Sequence, residues 1–316
     1  MVAEANRGLP LWPWGLLGIL TVPMAALAVI AGRTYGLVLF GDAEWYASAL
    51  PALMSNQPLY DPSKLVRHAL AFPVYWNQPP STALVSLVQL LPGDRWLWGG
   101  LMVACVLVGL LFIWPRVGLG GTMLLAPVMV AWHPVTSALF WANVNAAVFL
   151  MLVIALRFPR AAGAALGVAA AIKLVPVLGV AWLVGKRDWR GVATALGILL
   201  AATFIVVIWK GPAVLWDFVQ VRLHEFDPTA AEFPRWNPVA WFGLPDWVAY
   251  ASAAAIAIAA VARRSYSLSI VAMLASVPSL HDHYLIWLLI PALRIWIPWA
   301  IARSKRPHFQ CRLAET

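Results

Sequence analysis

Three groups of ionisable side chains stand inside or beside long apolar segments of this chain. Asp42 follows the first apolar segment, Lys173 interrupts a later one, and His281 and His283 precede the last. A charge at hydrocarbon depth costs roughly 2.5–3.5 kcal/mol on insertion scales, so such residues are functional candidates by default. A carboxylate can accept a proton from a hydroxyl, an ammonium can bind a phosphate, and an imidazole can donate to a phosphate oxygen. The residue types therefore predict acid–base chemistry beside an anion.

Each of these residues also has a structural interpretation. Asp42 begins an amphipathic stretch and can cap a surface helix, which is worth about 1 kcal/mol. Lys173 can extend its amine toward the interface, although its place at a Pro-broken hairpin tip favours contact with an outward cavity. His281 and His283 can bind a metal, but two ligands are too few to define a site, or they can simply lie at the interface. The sequence leaves these alternatives open.

Polar and aromatic residues elsewhere could complete a binding site for a sugar. Asn143 and Asn145 stand in an apolar stretch. Buried amides need partners, so these two either join helices or bind hydroxyl groups. The candidate contacts to a sugar or an acceptor are Glu44, Tyr46, Tyr75, Asn77, Asn143 and Asn145.

The composition is that of a membrane protein. The chain has 316 residues, is 62% hydrophobic and only 11% charged, whereas a soluble domain has about 25% charged residues. Pro and Gly interrupt the apolar runs, which are longer than barrel strands. The candidate apolar segments lie at roughly 14–40, 79–92, 96–114, 118–132, 142–156, 161–184, 190–209, 246–262, 265–280 and 283–302. We therefore predict an all-α polytopic membrane protein with about 8–11 membrane helices, some of them short or re-entrant.

The distribution of charge predicts the topology. The excess of Lys and Arg lies in short links and in the C-terminal tail, which we place in the cytoplasm together with the N-terminus. Two long connections, at 41–78 and 210–245, are slightly negative and should face outward from the cell membrane. Segment 161–184 has basic links at both ends, so we expect a re-entrant hairpin that turns near the central Lys. Segment 118–132 is expected to be half-inserted or to lie at the interface, and residues 1–316 are expected to form one domain.

Several signatures are missing from the sequence. It has no glycine-rich nucleotide-binding loop, no Cys-x-x-Cys and no His-Glu-x-x-His motif. Use of a soluble nucleotide sugar or of ATP therefore has no support, and we expect no cofactor and no bound metal. The net charge of +9 is explained by the cytoplasmic links, so we expect the lipid bilayer as a partner and no nucleic acid.

A series of motifs follows one order along the chain. They are Gly41-Asp42-Ala43-Glu44-Trp45-Tyr46, Gln57-Pro58-Leu59-Tyr60-Asp61-Pro62, Phe72-Pro73-Val74-Tyr75, Asn143-Val144-Asn145, Ala171-Ile172-Lys173-Leu174-Val175-Pro176 and His281-Asp282-His283-Tyr284. In this order they resemble motifs of the polyprenyl-phosphate-mannose-dependent mannosyltransferases of the α-1,2 type, which belong to the GT-C superfamily. The segment from Lys173 to Pro176 is the most specific. Ala142-Asn143 stands where the family has Gly-Gln.

The resemblance implies a GT-C-like bundle of membrane helices and an inverting membrane glycosyltransferase. The donor would be a polyprenyl phosphate hexose, expected to be mannose, and the acceptor a glycolipid or polysaccharide on the extracytoplasmic side. Asp42 would be the catalytic base, and Lys173, His281 and His283 would bind the donor phosphate. Two other functions fit the residues: a lipid or small-anion transporter or flippase, which also uses buried Lys and broken helices, and a non-catalytic membrane subunit.

Overall fold

The computed structural model describes residues 42, 46, 53–55, 58–60, 78–82, 95–114, 132–224, 239, 242–277 and 282–296. Every regular element among them is a helix, and none of these residues lies in a β-strand. The predicted all-α class is therefore confirmed. The apolar segment predicted at 14–40 and residues 118–131 of the segment predicted at 118–132 lie outside the described residues.

The helices of the described residues follow in chain order. The α-helices are α1 Arg95–Ile113, α2 His133–Trp141, α3 Asn145–Arg157, α4 Ala162–Ile172, α5 Val180–Gly185, α6 Trp189–Lys210, α7 Ala213–His224, α8 Asp246–Arg263, α9 Tyr266–Ala275 and α10 Leu289–Pro291. Three 3-10 helices and one π-helix accompany them at Pro159–Ala161, Val175–Gly179, Asp282–Leu288 and Ala292–Trp296.

Three of these helices are long and apolar enough to cross a membrane. They span Trp96–Ile113, Trp189–Lys210 and Asp246–Arg263, which agrees with the segments predicted from hydropathy. Helices α2 and α3 add a fourth span if they are counted as one helix broken by a bend of 119°. The described part of the chain is thus that of a polytopic membrane protein.

Helix α6 shows the side-chain arrangement of a helix in lipid. Its bulky apolar side chains Leu200, Phe204 and Ile208 are exposed, while Ala202 and Val206 are buried. A helix in a soluble protein buries its large side chains and exposes polar ones. In a bilayer the lipid accepts the large side chains, and small residues allow close helix packing. The exposed face of α6 is therefore a lipid-facing surface.

Helices α4 and α6 approach each other through small residues. A Cβ atom on Gly163 would overlap the backbone of Gly191, and one on Gly167 would lie 2.8 Å from the carbonyl oxygen of Ala195. Both pairs advance by four residues in the same direction, so the two helices run parallel. At 1.5 Å per residue, the last residue of α4 is then about 16 Å beyond the start of α6, and Lys173 is about 18 Å beyond it.

The chain doubles back after α4. Helix α4 ends at Ile172, Lys173 has extended backbone angles, and the 3-10 helix and α5 follow. Asp188 then caps α6, since its carboxylate accepts a hydrogen bond from the Gly191 amide at 2.9 Å. Both ends of segment 161–184 thus lie at the start of α6, as a hairpin requires. That segment 161–184 enters the membrane and leaves it on the same side stays a prediction.

Helix α3 lies at the centre of the main hydrophobic core. It packs against α1, α4 and the 3-10 helix Asp282–Leu288, and Phe149 and Leu152 are completely buried. The absence of a side chain on Gly109 of α1 leaves room for the ring of Phe149. This packing fixes the N-terminal end of α3, where the polar residues of the candidate site lie.

We predict that Gly163→Ala destabilises the protein. The added methyl group overlaps the backbone of Gly191, which no side-chain movement can relieve, and overpacking of this kind typically costs about 1–3 kcal/mol. The matched control is Gly197→Ala on the lipid-facing part of α6, where the new Cβ meets nothing within 4 Å. Thermal unfolding in one detergent should show a lower midpoint for Gly163→Ala only. Equal midpoints would mean that α4 and α6 do not meet at Gly163.

Candidate active site

A strained turn between α2 and α3 forms the floor of the site. Ala142 is completely buried and has a left-handed backbone with φ of 51°, a conformation that costs a non-glycine residue roughly 1–2 kcal/mol. The indole of Trp98 donates a hydrogen bond to the Ala142 carbonyl at 2.8 Å. This contact helps to hold the turn, and the 119° bend leaves Asn143 between the two helices.

The side chain of Asn143 joins this turn to Asp42. Its Oδ1 accepts a hydrogen bond from the backbone amide of Asn145 at 2.9 Å, and its Nδ2 donates to the carboxylate of Asp42. Tyr46, four residues after Asp42 in the sequence, accepts a hydrogen bond from the Val144 amide at 3.3 Å. Asp42 and Tyr46 therefore both contact the turn, and these contacts fix the position of the carboxylate.

The surroundings of Asp42 bring its pKa close to neutral. Burial raises the pKa from 3.8 to about 6, while the hydrogen bond from Asn143, the positive charge of Lys173 and a hydrogen bond from Tyr46 act in the opposite direction. A carboxyl group with this pKa is mostly ionised at pH 7. It is also basic enough to accept a proton from a substrate hydroxyl. Its electrostatic environment is therefore that of a general base.

Lys173 lies on the other side of Asn145. Its ammonium donates a hydrogen bond to Asn145 Oδ1 at 3.2 Å and lies 3.7 Å from the ring centroid of Tyr284. The indole of Trp287 donates to the Asn145 carbonyl at 3.3 Å. The side chain of Asn145 is completely buried, and its Nδ2 makes no hydrogen bond within the described part of the chain. The buried side chain of Asn145 thus fixes the position of the Lys173 ammonium.

The structure brings together five of the residues singled out from the sequence. They are Asp42, Tyr46, Asn143, Asn145 and Lys173. Glu44, Tyr75, Asn77 and His281 lie outside the described residues. The backbone of His283 belongs to the 3-10 helix Asp282–Leu288, which also carries Tyr284.

Sequence reasoning assigned no role to three residues that shape this site. Tyr284 lies beneath the Lys173 ammonium, and Trp98 holds the strained turn. Gln78 donates a hydrogen bond from Nε2 to the Ile172 carbonyl at 3.2 Å, directly before Lys173. A buried amide such as Gln78 at the edge of an apolar segment is a usable signal, because it requires a partner. The aromatic partners give no such signal, since Trp and Tyr are common at membrane interfaces.

Comparison with known proteins identifies the family. The sequence profile of glycosyltransferase family 87 matches residues 75–314. The chain belongs to glycosyltransferase family 87. A polyprenol-phosphate-mannose-dependent alpha-(1-2)-phosphatidylinositol mannoside mannosyltransferase from Mycobacterium tuberculosis (strain ATCC 25618 / H37Rv) is 25% identical over 252 residues. That alignment covers 69% of this chain but 56% of the relative, so the chain spans just over half of the relative's length. No solved structure matches.

The family match covers only one side of the site. Asn143, Asn145 and Lys173 lie within the matched residues, whereas Asp42 and Tyr46 precede them. The match therefore provides no evidence about Asp42. The hydrogen bond from Asn143 is what connects its carboxylate to the family 87 region.

We predict that Asp42 titrates near pH 6, well above an ordinary carboxyl group. The infrared carbonyl band of its protonated form should appear as the pH falls through that value, and it should be missing from Asp42→Asn. In Asn143→Ala the carboxylate loses a donor that stabilises its charged form, so the midpoint should move to higher pH. An unchanged midpoint in Asn143→Ala would contradict the contact.

Proposed function

We propose that this family 87 protein transfers a hexose, mannose, from a polyprenyl phosphate donor to a glycolipid or polysaccharide acceptor with inversion at the anomeric carbon. One observation carries the proposal: Asn143 and Asn145 join a carboxylate and an ammonium from distant parts of the chain in one site. Transfer of a sugar from a phosphate to a hydroxyl group requires a base for the hydroxyl proton and a fixed cation for the phosphate. The name of the mycobacterial relative supports mannose and a lipid-linked acceptor.

The reaction is a single displacement. Asp42 accepts the proton of an acceptor hydroxyl, and that oxygen bonds to the anomeric carbon from the face opposite the phosphate. The bond between the anomeric carbon and the phosphate oxygen breaks, and polyprenyl phosphate leaves with the electron pair. Lys173 stabilises the charge that develops on the phosphate, because a preorganised cation in a low-dielectric site needs no reorganisation at the moment of reaction. Neutralisation by fixed cations supplies the role that a metal has in other phosphate sites.

The remaining candidates have places in this scheme. His281 and His283 come immediately before Tyr284, the residue beneath Lys173, and their imidazoles are proposed to bind the same phosphate. Glu44, Tyr75 and Asn77 are proposed to contact the sugar or the acceptor. Tyr46 is proposed to do so while it holds the carboxylate. These roles rest on sequence order and on the family resemblance.

The direction of the hairpin supports an extracytoplasmic site. Helices α4 and α6 start at the same end, next to the basic link at 186–190, which the positive-inside rule places in the cytoplasm. Lys173 lies about 18 Å further along α6. The site then opens away from the cytoplasm, with the connections 41–78 and 210–245 as outer loops of a single domain over 1–316 in the cell membrane.

We predict that Asp42→Asn lowers transfer by at least about 100-fold, because general base catalysis contributes 10²–10⁴-fold. Membranes that contain the variant would be supplied with radiolabelled polyprenyl phosphate mannose, and both transfer and donor binding would be measured. Donor binding should persist, since the asparagine keeps the shape of the side chain. The matched control is Asp246→Asn, which removes a half-buried acid at the start of α8. A wild-type rate in Asp42→Asn would remove Asp42 from the mechanism, and movement of the donor without transfer would support transport.

We predict that Lys173→Met weakens donor use while Lys186→Met does not. Both ammonium groups lie over an aromatic ring, at 3.7 Å from Tyr284 and 4.5 Å from Trp182, so the pair differs mainly in its place in the molecule. Loss of a charge-assisted contact costs about 1.5–3 kcal/mol, or roughly tenfold or more in donor affinity. Initial rates at varied donor concentration measure the effect. Equal losses in the two variants would contradict a specific role for Lys173.

A further inference from the structure

A cavity lies at the C-terminal end of α6, away from the basic link. Its volume is about 380 Å³, its polar lining comes from Ser55, Lys210 and Asp217, and Trp209 also lines it. No residue of the proposed reaction lines it. Lys173 is about ten residues, or roughly 15 Å, short of this level of α6.

The wall of this cavity is a built structure. Tyr60 is completely buried and packs against Phe218, with the ring centroids 5.3 Å apart and the rings tilted by 55°. The ammonium of Lys210 donates a hydrogen bond to the Ser55 carbonyl, and Gly211 turns the chain with φ of 82° between α6 and α7. These contacts attach residues 53–55 and 58–60 to the junction of α6 and α7. A small hydrophobic cluster, separate from the main core, completes it: Leu53, Leu59, Tyr60, Val206 and Val214.

The lining groups match one class of ligand. The half-buried carboxylate of Asp217 makes no hydrogen bond or ion pair to another described residue, so it can accept bonds from hydroxyl groups. Beside it, the Lys210 ammonium is a donor, and the Trp209 indole, 54% exposed, offers a flat apolar face. The carboxylate repels an anion and the ammonium repels a cation. A neutral polyhydroxyl ring with an apolar face satisfies all three groups.

We propose that this cavity binds a hexose ring of the glycan acceptor, one unit or more away from the sugar that reacts. The assignment of this hexose to the acceptor rests on the proposed function, whereas the binding of a hexose does not. The position agrees with this role, because the cavity lies further along α6 than Lys173, on the side from which the site is proposed to open. Asp217 accepts from the hydroxyl groups of the ring, Lys210 donates to them, and Trp209 stacks on the C–H face.

The test is saturation-transfer difference NMR on the full-length protein in lipid nanodiscs, with methyl α-mannobioside as the probe. Asp217→Asn keeps the shape of the side chain but removes its charge, and Trp209→Leu removes the stacking face. Each should weaken binding of the probe by about tenfold. The matched control is Trp216→Leu, because Trp216 is 62% exposed on the adjacent helix but does not line the cavity. It should bind like the wild type.

Several outcomes would overturn the proposal. Binding that is unchanged in both Asp217→Asn and Trp209→Leu would do so, and so would an equal loss in Trp216→Leu. If glycerol 1-phosphate occupies the cavity in preference to the mannobioside, the site recognises a phospholipid headgroup and the proposal is wrong. Should Asp217→Asn unfold, Trp209→Leu alone decides, since it changes an exposed side chain.

The same measurements separate this proposal from the proposed function. Binding that depends on Asp217 in a protein that transfers no mannose would support the cavity and reject the enzyme. Transfer that depends on Asp42 with an unaltered KM for a dimannosyl lipid acceptor in Asp217→Asn would support the enzyme and reject the cavity. If both proposals hold, Asp217→Asn raises the acceptor KM about tenfold and leaves the donor KM unchanged.

Discussion

The site depends on two asparagine side chains that stand between a carboxylate and an ammonium. Direct pairing of these two charges would leave the carboxylate poorly available to a substrate hydroxyl. Asn143 donates to Asp42 and Asn145 accepts from Lys173, so each charge has a neutral hydrogen-bond partner. The lysine still lowers the pKa of Asp42 through its field, against the larger effect of burial. The carboxylate therefore stays basic without being neutralised.

The packing of small residues determines how far along α6 the ammonium of Lys173 lies. Because glycine and alanine let the backbones of α4 and α6 touch, α4 runs beside α6, and the hairpin turns at Lys173, level with the middle of α6. The completely buried residues of α3 fix the other partner, since Asn145 is the first residue of that helix. The depth of the ammonium and the position of the amide thus come from helix packing, and the electrostatics of the site follow from both.

Local features of the sequence predicted the spans and the break in the hairpin. Hydropathy marks α1, α6 and α8, and Pro176 disfavours a continuous helix after Ile172, so both predictions needed only neighbouring residues. The role of Asn143 and Asn145 could not be decided, because a buried amide in an apolar stretch is satisfied equally well by another helix or by a ligand. Their partners are 101 and 28 residues distant along the chain. The roles of Tyr284 and Trp98 were not predicted, because their partners Lys173 and Ala142 are also distant along the chain and because aromatic residues are common at membrane interfaces.

The departure of this chain from the family pattern has a physical consequence. A glycine adopts the left-handed conformation at position 142 without strain, whereas Ala142 requires support from burial and from the Trp98 indole. The asparagine that follows is one methylene shorter than glutamine. Its side chain can therefore turn back onto the backbone amide two residues later, as asparagine does in Asx turns. That local bond through Oδ1 leaves Nδ2 directed at Asp42. The shorter amide thus positions the Asp42 carboxylate.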